Sequence, residues 1–268
     1  CLIKQKYTKI LNMKIRILGS GSSFGVPLLY NFNGKIDLKN PHNFRTRSSI
    51  LLTVDKKKIL IDTAPELRQQ LIDAKISNLD YVLFTHIHSD HTAAVPDIRA
   101  FSLVNKKIIP CYMPETMKKE MIIKYKYIFK GEKQYRPFME IKDLEYCFSL
   151  DNVKITTFPH NHGDIDCQTY IFEHSKKKFA YSTDFKKFYN NDIDKLKNLD
   201  LWILGLLRYD DHPSHAGFKE IIEHIKYVKP KKVVFTHMTA HLDEEELIDK
   251  IPKSLNALPG YDGMEIIL

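Results

Sequence analysis

Cysteine is scarce in this chain, and its placement settles several questions at once. The four cysteines, Cys1, Cys111, Cys147 and Cys167, stand far apart and never form a Cys-x-x-Cys pair, so a cysteine zinc knuckle is not expected. A disulfide framework belongs to small secreted chains, and 268 residues can bury a core without one. A reducing, cytoplasmic location is therefore expected. No apolar run approaches the ~20 residues needed to cross a bilayer, so no membrane partner is expected. Residues 1–12 carry lysines but lack the apolar stretch of a secretory signal. Met13 leads directly into Lys14-Ile15-Arg16-Ile17-Leu18. Residues 1–12 are thus expected to be an extension or a misassigned start, ahead of one domain over 13–268. Internal repeats and low-complexity segments are also lacking.

What the chain has in excess is positive charge. The formal net charge is +8, which suits an acidic partner such as RNA or a phosphorylated metabolite. The excess is mostly lysine, scattered at turn-like sites such as Lys56-Lys57-Lys58 and Lys176-Lys177-Lys178. Scattering of this kind favours a solvated surface over a built anion site.

Short β-rich runs alternate with helical patterns, which predicts an α/β layered domain. Residues 15–18 read as a strand leading into Gly19-Ser20-Gly21. Residues 50–54 and 58–61 read as a hairpin. A helix is expected from Asp62-Thr63-Ala64-Pro65 to about residue 74, and residues 81–84 read as a short apolar strand. Residues 114–129 have helical spacing. Strands are expected at 153–158, 169–173, 178–181, 201–204 and 233–235. Helices are expected at 216–228 and 243–251, and residues 29–43 read as an irregular loop.

The strongest signal is the run Thr85-His86-Ile87-His88-Ser89-Asp90-His91, just after a predicted strand. In extended backbone, side chains two apart point the same way, so His86 and His88 can reach one ion. Asp90 and His91 follow where the chain turns into a helix, and would face a neighbouring position. Imidazole nitrogen and carboxylate oxygen suit Zn²⁺, and also Mn²⁺ or Fe²⁺.

This His-x-His-x-Asp-His run resembles the signature of the metallo-β-lactamase superfamily. The resemblance implies a four-layer αβ/βα sandwich. It extends through Asp62, Phe158-Pro159-His160-Asn161-His162-Gly163, Tyr181-Ser182-Thr183-Asp184 and Phe235-Thr236-His237-Met238, in the expected order. It implies two divalent ions, Zn²⁺ or Mn²⁺. One would be held by His86, His88, His162 and Asp184, the other by Asp90, His91, His237 and the shared Asp184. His162 is favoured over His160 because it precedes Gly163. Asp62 is expected to hydrogen-bond a metal-binding histidine, with a helix cap as its other reading.

Four further segments resemble the phosphodiesterase branch typified by phosphoribosyl 1,2-cyclic phosphate phosphodiesterase. They are Asn43-Phe44-Arg45-Thr46-Arg47-Ser48-Ser49, Asp97-Ile98-Arg99-Ala100-Phe101, Asp210-Asp211-His212-Pro213-Ser214-His215 and Pro259-Gly260-Tyr261-Asp262-Gly263-Met264. The resemblance implies cleavage of a small cyclic or nucleotide-like phosphodiester by metal-activated hydroxide. Asp90 would orient the nucleophile and His215 would assist the leaving oxygen. Arg47, Arg99 and Ser22 are candidate substrate contacts, since a guanidinium can grip two phosphate oxygens. Many relatives carry a cysteine cluster and a structural zinc in the loop after Gly-x-Pro. Residues 28–43 have no cysteine here, so no structural zinc is expected and packing must order the loop. A tRNA 3′-processing endonuclease is an alternative, weakened because no long basic, glycine-rich arm is visible; RNA is the less favoured partner. A lactamase or thioester hydrolase is another alternative. Dimers are frequent in this fold, so a homodimer is possible.

Overall fold

Apolar side chains alternate along the first strand, so one face of it can be buried while the other meets polar surroundings. That strand is β1 (Met13–Gly19), with Met13, Ile15 and Ile17 fully buried. The computed structural model describes residues 12–29 and 36–268. The expected N-terminal extension, Asn12 apart, and residues 30–35 of the irregular loop lie outside the described residues.

β1 pairs antiparallel with β2 (Ser49–Val54), which forms the expected hairpin with β3 (Lys57–Ile61). From there the pairing becomes parallel through β4 (Tyr81–Leu83), β5 (Ile109–Tyr112) and β6 (Met139–Lys142). The connecting helices are α1 (Leu67–Asp73), the single turn α2 (Ser89–Thr92), α3 (Arg99–Asn105), α4 (Glu115–Lys124) and α5 (Lys126–Lys130). Two expectations need correction. The helix expected to start at Asp62 starts at Leu67, because the Asp62 carboxylate is used elsewhere. The helix expected over 114–129 is two, broken at Tyr125 (φ −126°, ψ 39°). Tyr125 is pulled inward there, and its hydroxyl donates to Thr92 O at 3.0 Å.

The second half supplies β7 (Cys147–Leu150), β8 (Val153–His162), β9 (Ile165–His174), β10 (Lys177–Ser182), β11 (Lys187–Phe188) and β12 (Leu201–Gly205). Next come α6 (Phe218–Val228), β13 (Val233–Thr236), α7 (Glu244–Lys250), β14 (Ala257–Pro259) and β15 (Glu265–Ile267). Ile221, Ile222, Ile225 and Val228 fall at helical spacing on α6 and are all buried. Asp243 caps α7 by accepting from the N–H groups of Glu245 and Glu246. Three glutamates in the first turn suit the positive end of that helix.

Among the described residues one sheet runs β15-β1-β2-β3-β4-β5-β6. The other runs β11-β8-β9-β10-β12-β13-β14, with β7 also on β8. Ile15, Ile50, Leu52 and Ile61 meet Tyr170, Phe172, Phe179 and Tyr181 between the sheets. The outer face of the first sheet buries Leu51, Leu60 and Val82 against Leu67, Ile98 and Met117. That of the second buries Trp202 and Leu204 against the apolar face of α6. This is the expected four-layer αβ/βα sandwich. No helix among the described residues is long and apolar enough to cross a membrane.

The described residues of the loop without cysteine are held against residues 240–244. Val26, Ile36 and Ala240 form a small buried cluster with Leu28 and Leu38 beside it. Beyond it, Asp37 N and the Asn43 amide both donate to the Asp243 carboxylate, and Asn40 donates to Glu244. Arg45, fully buried, joins this clasp to the far strand ends by donating to Asn43 Oδ1 and Thr239 O.

Candidate metal centre

The first sheet supplies half of the site from the carboxyl ends of β3 and β4. After β4 the chain runs Phe84-Thr85-His86-Ile87-His88, then closes the single turn α2, which presents Asp90 and His91. Asp62, at the end of β3, accepts from Thr85 N, the Thr85 hydroxyl and His91 Nδ1, each at 2.8 Å. Fixing the proton on Nδ1 of His91 leaves its Nε2 lone pair facing the centre. The helix-cap reading of Asp62 fails, since Glu66 occupies that place. We expect Asp62→Ala to weaken zinc or manganese binding about 10–100-fold, the usual cost of losing such a partner. A metal titration showing unchanged affinity would refute this positioning role.

The second sheet supplies the other half. His162 ends β8, and its Nδ1 donates to Ser214 O at 3.0 Å. Gly163, at φ +72°, lets Ser214 come close: a Cβ there would sit 2.9 Å from that of Ser214. Asp184 follows β10 and receives the Thr183 hydroxyl at 2.7 Å. Gly205 lies beneath it, where a Cβ would stand 3.0 Å from Asp184 N. His237 follows β13. Asp62, Asp184 and His237 all have positive φ, at 64°, 47° and 57°. Left-handed backbone at such residues costs on the order of 1–3 kcal/mol each and persists where surrounding structure enforces it. Here it turns three strand ends sharply toward one point.

His160 has a different job. Its ring is buried, with Nε2 2.9 Å from Thr183 O and Nδ1 2.9 Å from Thr169 Oγ1. Both nitrogens are engaged, so it braces the turn carrying Asp184 and leaves His162 as the ligand candidate. Burial pushes its pKa down to about 4.

The seven candidate ligands come together in two adjoining groups: His86, His88 and His162, then Asp90, His91, Asp184 and His237. His88 Nδ1 lies 3.0 Å from His86 Nε2 and 3.2 Å from His162 Nε2. Asp184 reaches both groups. Its Oδ1 is 3.5 Å from His162 Nε2 and 3.2 Å from His237 Nε2, while Oδ2 is 3.2 Å from His91 Nε2. The fit to cations is tested by His91. Its Nε2 is buried with no hydrogen-bond partner and faces Asp90 Oδ2, also at 3.2 Å. Burial opposes charge on His91, yet Asp90, Asp184 and Asp62 raise its pKa well above the ordinary imidazole value. Burial likewise opposes ionisation of Asp184, yet His237 and His91 hold it well below the usual carboxylate range. His86 is driven well below by burial, so it stays neutral, as ligation requires. The positive charge that these carboxylates draw onto His91 as a proton is one that divalent cations would supply instead, with Asp184 between them.

A cleft of about 370 Å³ opens over these groups, bordered by His88, Asp90, His162, Asp184, His215 and His237. Asp90 and His215, expected to be catalytic, both border this cleft. His215 Nε2 is 3.9 Å from Asp184 Oδ1, and burial, partly offset by Asp184, lowers its pKa to about 3. Ser22 also borders the cleft, and its buried hydroxyl has no hydrogen-bond partner. The two expected arginines are placed elsewhere. Arg47 is paired with Glu66 and donates to Ser23 O. Arg99 lies 5.0 Å over the Tyr135 ring and borders a separate groove with Lys106, Lys107 and Arg136. The arginine on the cleft is Arg208, just past the end of β12. Sequence reading passed over it, although a cation at a strand end that faces the His run was the available signal. The closing Tyr261-Asp262-Gly263 motif acts through structure: Asp262 accepts from backbone and hydroxyl of both Ser20 and Thr46. Gly19 and Gly21 are glycines because a Cβ would strike Arg47 O at 2.0 Å and Arg45 O at 2.6 Å.

A family model described as a beta-lactamase superfamily domain matches residues 57–238. An octanoyltransferase of Porphyromonas gingivalis (strain ATCC BAA-308 / W83) is 29% identical over 262 residues, covering 96% of this chain and 52% of that protein. The chain therefore spans about half the length of that curated relative. A crystal structure described as a new diphosphatase from the PhnP family is 27% identical, with a TM-score of 0.85 and coverage of 96% of this chain and 98% of that one. Zn²⁺-bound PqqB from Methylobacterium extorquens shares the fold at 15% identity, with a TM-score of 0.76 and coverage of 94% and 99%. Sandwich and family match agree: the chain belongs to the metallo-β-lactamase superfamily.

Proposed function

We propose that this protein is a dinuclear metal-dependent hydrolase of phosphodiesters, acting on a small cyclic or nucleotide-like phosphate. The observation that carries the reading is Asp184, whose carboxylate reaches both histidine sets, Oδ1 toward His162 and His237 and Oδ2 toward His91, beside an open cleft. Two divalent cations, Zn²⁺ or Mn²⁺, supply charge for the phosphoryl oxygens and acidify a water when bound. Asp90, ionised and bordering the cleft, accepts a hydrogen bond from the attacking water and orients it. His215, neutral at pH 7, still carries one N–H, which donates to the oxygen that departs.

Other readings meet specific obstacles. An endonuclease of the tRNA-processing type grips its RNA with a long arm, whereas residues 101–158 are filled by helices and short strands of the sandwich. Acyl transfer through a cysteine or lysine nucleophile lacks its residue, since neither type borders the cleft among the described residues. Cys167 is buried behind His86, its sulfur 3.6 Å from Nδ1. The octanoyltransferase activity is named for a chain nearly twice as long.

The test is a substrate panel with Zn²⁺ or Mn²⁺ added: a generic aryl phosphodiester, cyclic nucleotides, a ribose cyclic phosphate, precursor tRNA and a β-lactam. We expect turnover of small phosphodiesters, abolished by a chelator and restored by metal. Hydrolysis of the lactam with no phosphodiester cleaved would overturn the proposal.

A further inference from the structure

We infer that Phe24 is a stacking platform for a nucleobase, so that the preferred substrates are phosphodiesters of nucleosides; this rests on the phosphodiesterase reading above. Phe24 borders the cleft and is 63% exposed, the most exposed aromatic side chain among the described residues. A single apolar side chain in water is ordinary by itself. What sets Phe24 apart is how firmly the backbone beneath it is held. Gly25 N donates to Ser22 O at 2.8 Å, closing a turn with Phe24 at its third position. Gly25 takes φ +66°, a conformation open to a residue without a Cβ. Ser22 N donates to Met238 O at 3.1 Å, one residue past His237, so the turn is anchored beside the candidate metal centre. Val26 and Arg45 exchange backbone hydrogen bonds at 2.8 and 3.0 Å. Arg47 Nε donates to Ser23 O at 2.9 Å, and Glu66 holds the same guanidinium. Arg47 therefore serves the cleft by fixing this turn rather than by gripping phosphate.

The turn is pinned on both flanks, while most of the ring it carries stays open to solvent. A surface fixed beforehand loses little conformational entropy when a ligand settles on it. Leu28, Leu207 and Ala240 border the same cleft, and Val26, Ile36 and Ala240 form the buried cluster beside Leu28. The cleft thus has apolar lining next to its histidines and carboxylates. Ser22, on the same cleft, is 1% exposed, and its hydroxyl has no hydrogen-bond partner. A hydrocarbon chain would leave that hydroxyl unmet, which is costly for a buried polar group. A nucleobase has an aromatic face and a rim of hydrogen-bonding nitrogen and oxygen atoms, so it suits both Phe24 and Ser22.

The test compares adenosine 2′,3′-cyclic phosphate with methyl riboside 2′,3′-cyclic phosphate, in which a methoxy group replaces the base and the scissile bond is the same. With Zn²⁺ or Mn²⁺ added, we expect the lower KM for the adenosine ester. In Phe24→Ala, KM for that ester should rise about fivefold to a hundredfold, the scale of one base–aromatic stack. KM for the methyl riboside and kcat for both should hold, and Phe24→Tyr should keep the preference. Saturation-transfer NMR on the metal-free protein gives a readout without turnover: the base protons of adenosine 5′-monophosphate should receive saturation, and less of it in Phe24→Ala. Equal KM values for the two esters in the unmodified protein would overturn the inference while leaving the phosphodiesterase reading intact. So would a Phe24→Ala variant with an equal loss on both esters, a loss in kcat alone, or unchanged saturation transfer. Turnover of the generic aryl phosphodiester with neither cyclic phosphate cleaved would do the same. Turnover of none of the three would overturn the phosphodiesterase reading and this inference with it.

Discussion

Asp184→Asn should lose bound metal and activity together. The substitution preserves side-chain volume, and asparagine accepts the left-handed backbone found there better than alanine does. What it removes is the negative charge between two sets of histidines. In the proposed dinuclear centre that charge would offset the mutual repulsion of two nearby cations. Removing an outer partner of a ligand already costs about 10–100-fold in affinity, so losing the shared carboxylate should cost more than that. Metal content by emission spectroscopy should fall well below two equivalents, with the far-ultraviolet dichroism of the sandwich retained. Two full equivalents in this variant would refute the bridging assignment.

For His215→Ala the expectation is the opposite pairing: metal retained, turnover slowed by about 10²–10³-fold, the usual range for a lost hydrogen-bond donor to a developing oxyanion. Its Nε2 stands 3.9 Å from Asp184 Oδ1, about as far as that of the candidate ligand His86 at 4.0 Å, so distance does not separate the two roles. His162, Asp184 and His215 are also close enough to share an ion, so the metal content of the variant separates the two roles. Leaving groups sharpen the test. A p-nitrophenolate leaves with little help, whereas an alkoxide needs a donor, so the defect should be far larger with the alkyl ester. A uniform slowing across leaving groups, accompanied by metal loss, would make His215 a ligand instead.

Much of the site was legible because its chemistry is dense in sequence. His86, His88, Asp90 and His91 crowd the exit of one strand, and the period of two on that strand already says which rings share a face. Asp184 and His237 are single residues at the ends of buried strands, and only the resemblance marked them. The arginines were misplaced for a physical reason: sequence shows a cation but not its counter-charge. Glu66 meets Arg47 from 19 residues away, and Tyr135 meets Arg99 from another connection entirely. In the fold, the long strands were readable from alternation. The strands β14 and β15 were not, because three residues each carry too little pattern. The break at Tyr125 comes from a hydrogen bond to Thr92, a contact with no local signature.

The hydroxyl of Tyr170, on the second sheet, reaches Phe84 O at 2.7 Å, and Gln168 N reaches Thr85 O at 3.0 Å. These two contacts cross the seam between the sheets immediately ahead of His86. Because each sheet brings its own share of the candidate ligands, the spacing of the two proposed ions would be set by how the sheets are docked, not by either sheet alone. The aromatic interior therefore works as a caliper. A substitution among Tyr170, Phe172 and Phe179 that lets the layers slip would change the gap between the ions before it disturbed any strand pairing, and catalysis would register the slip sooner than stability.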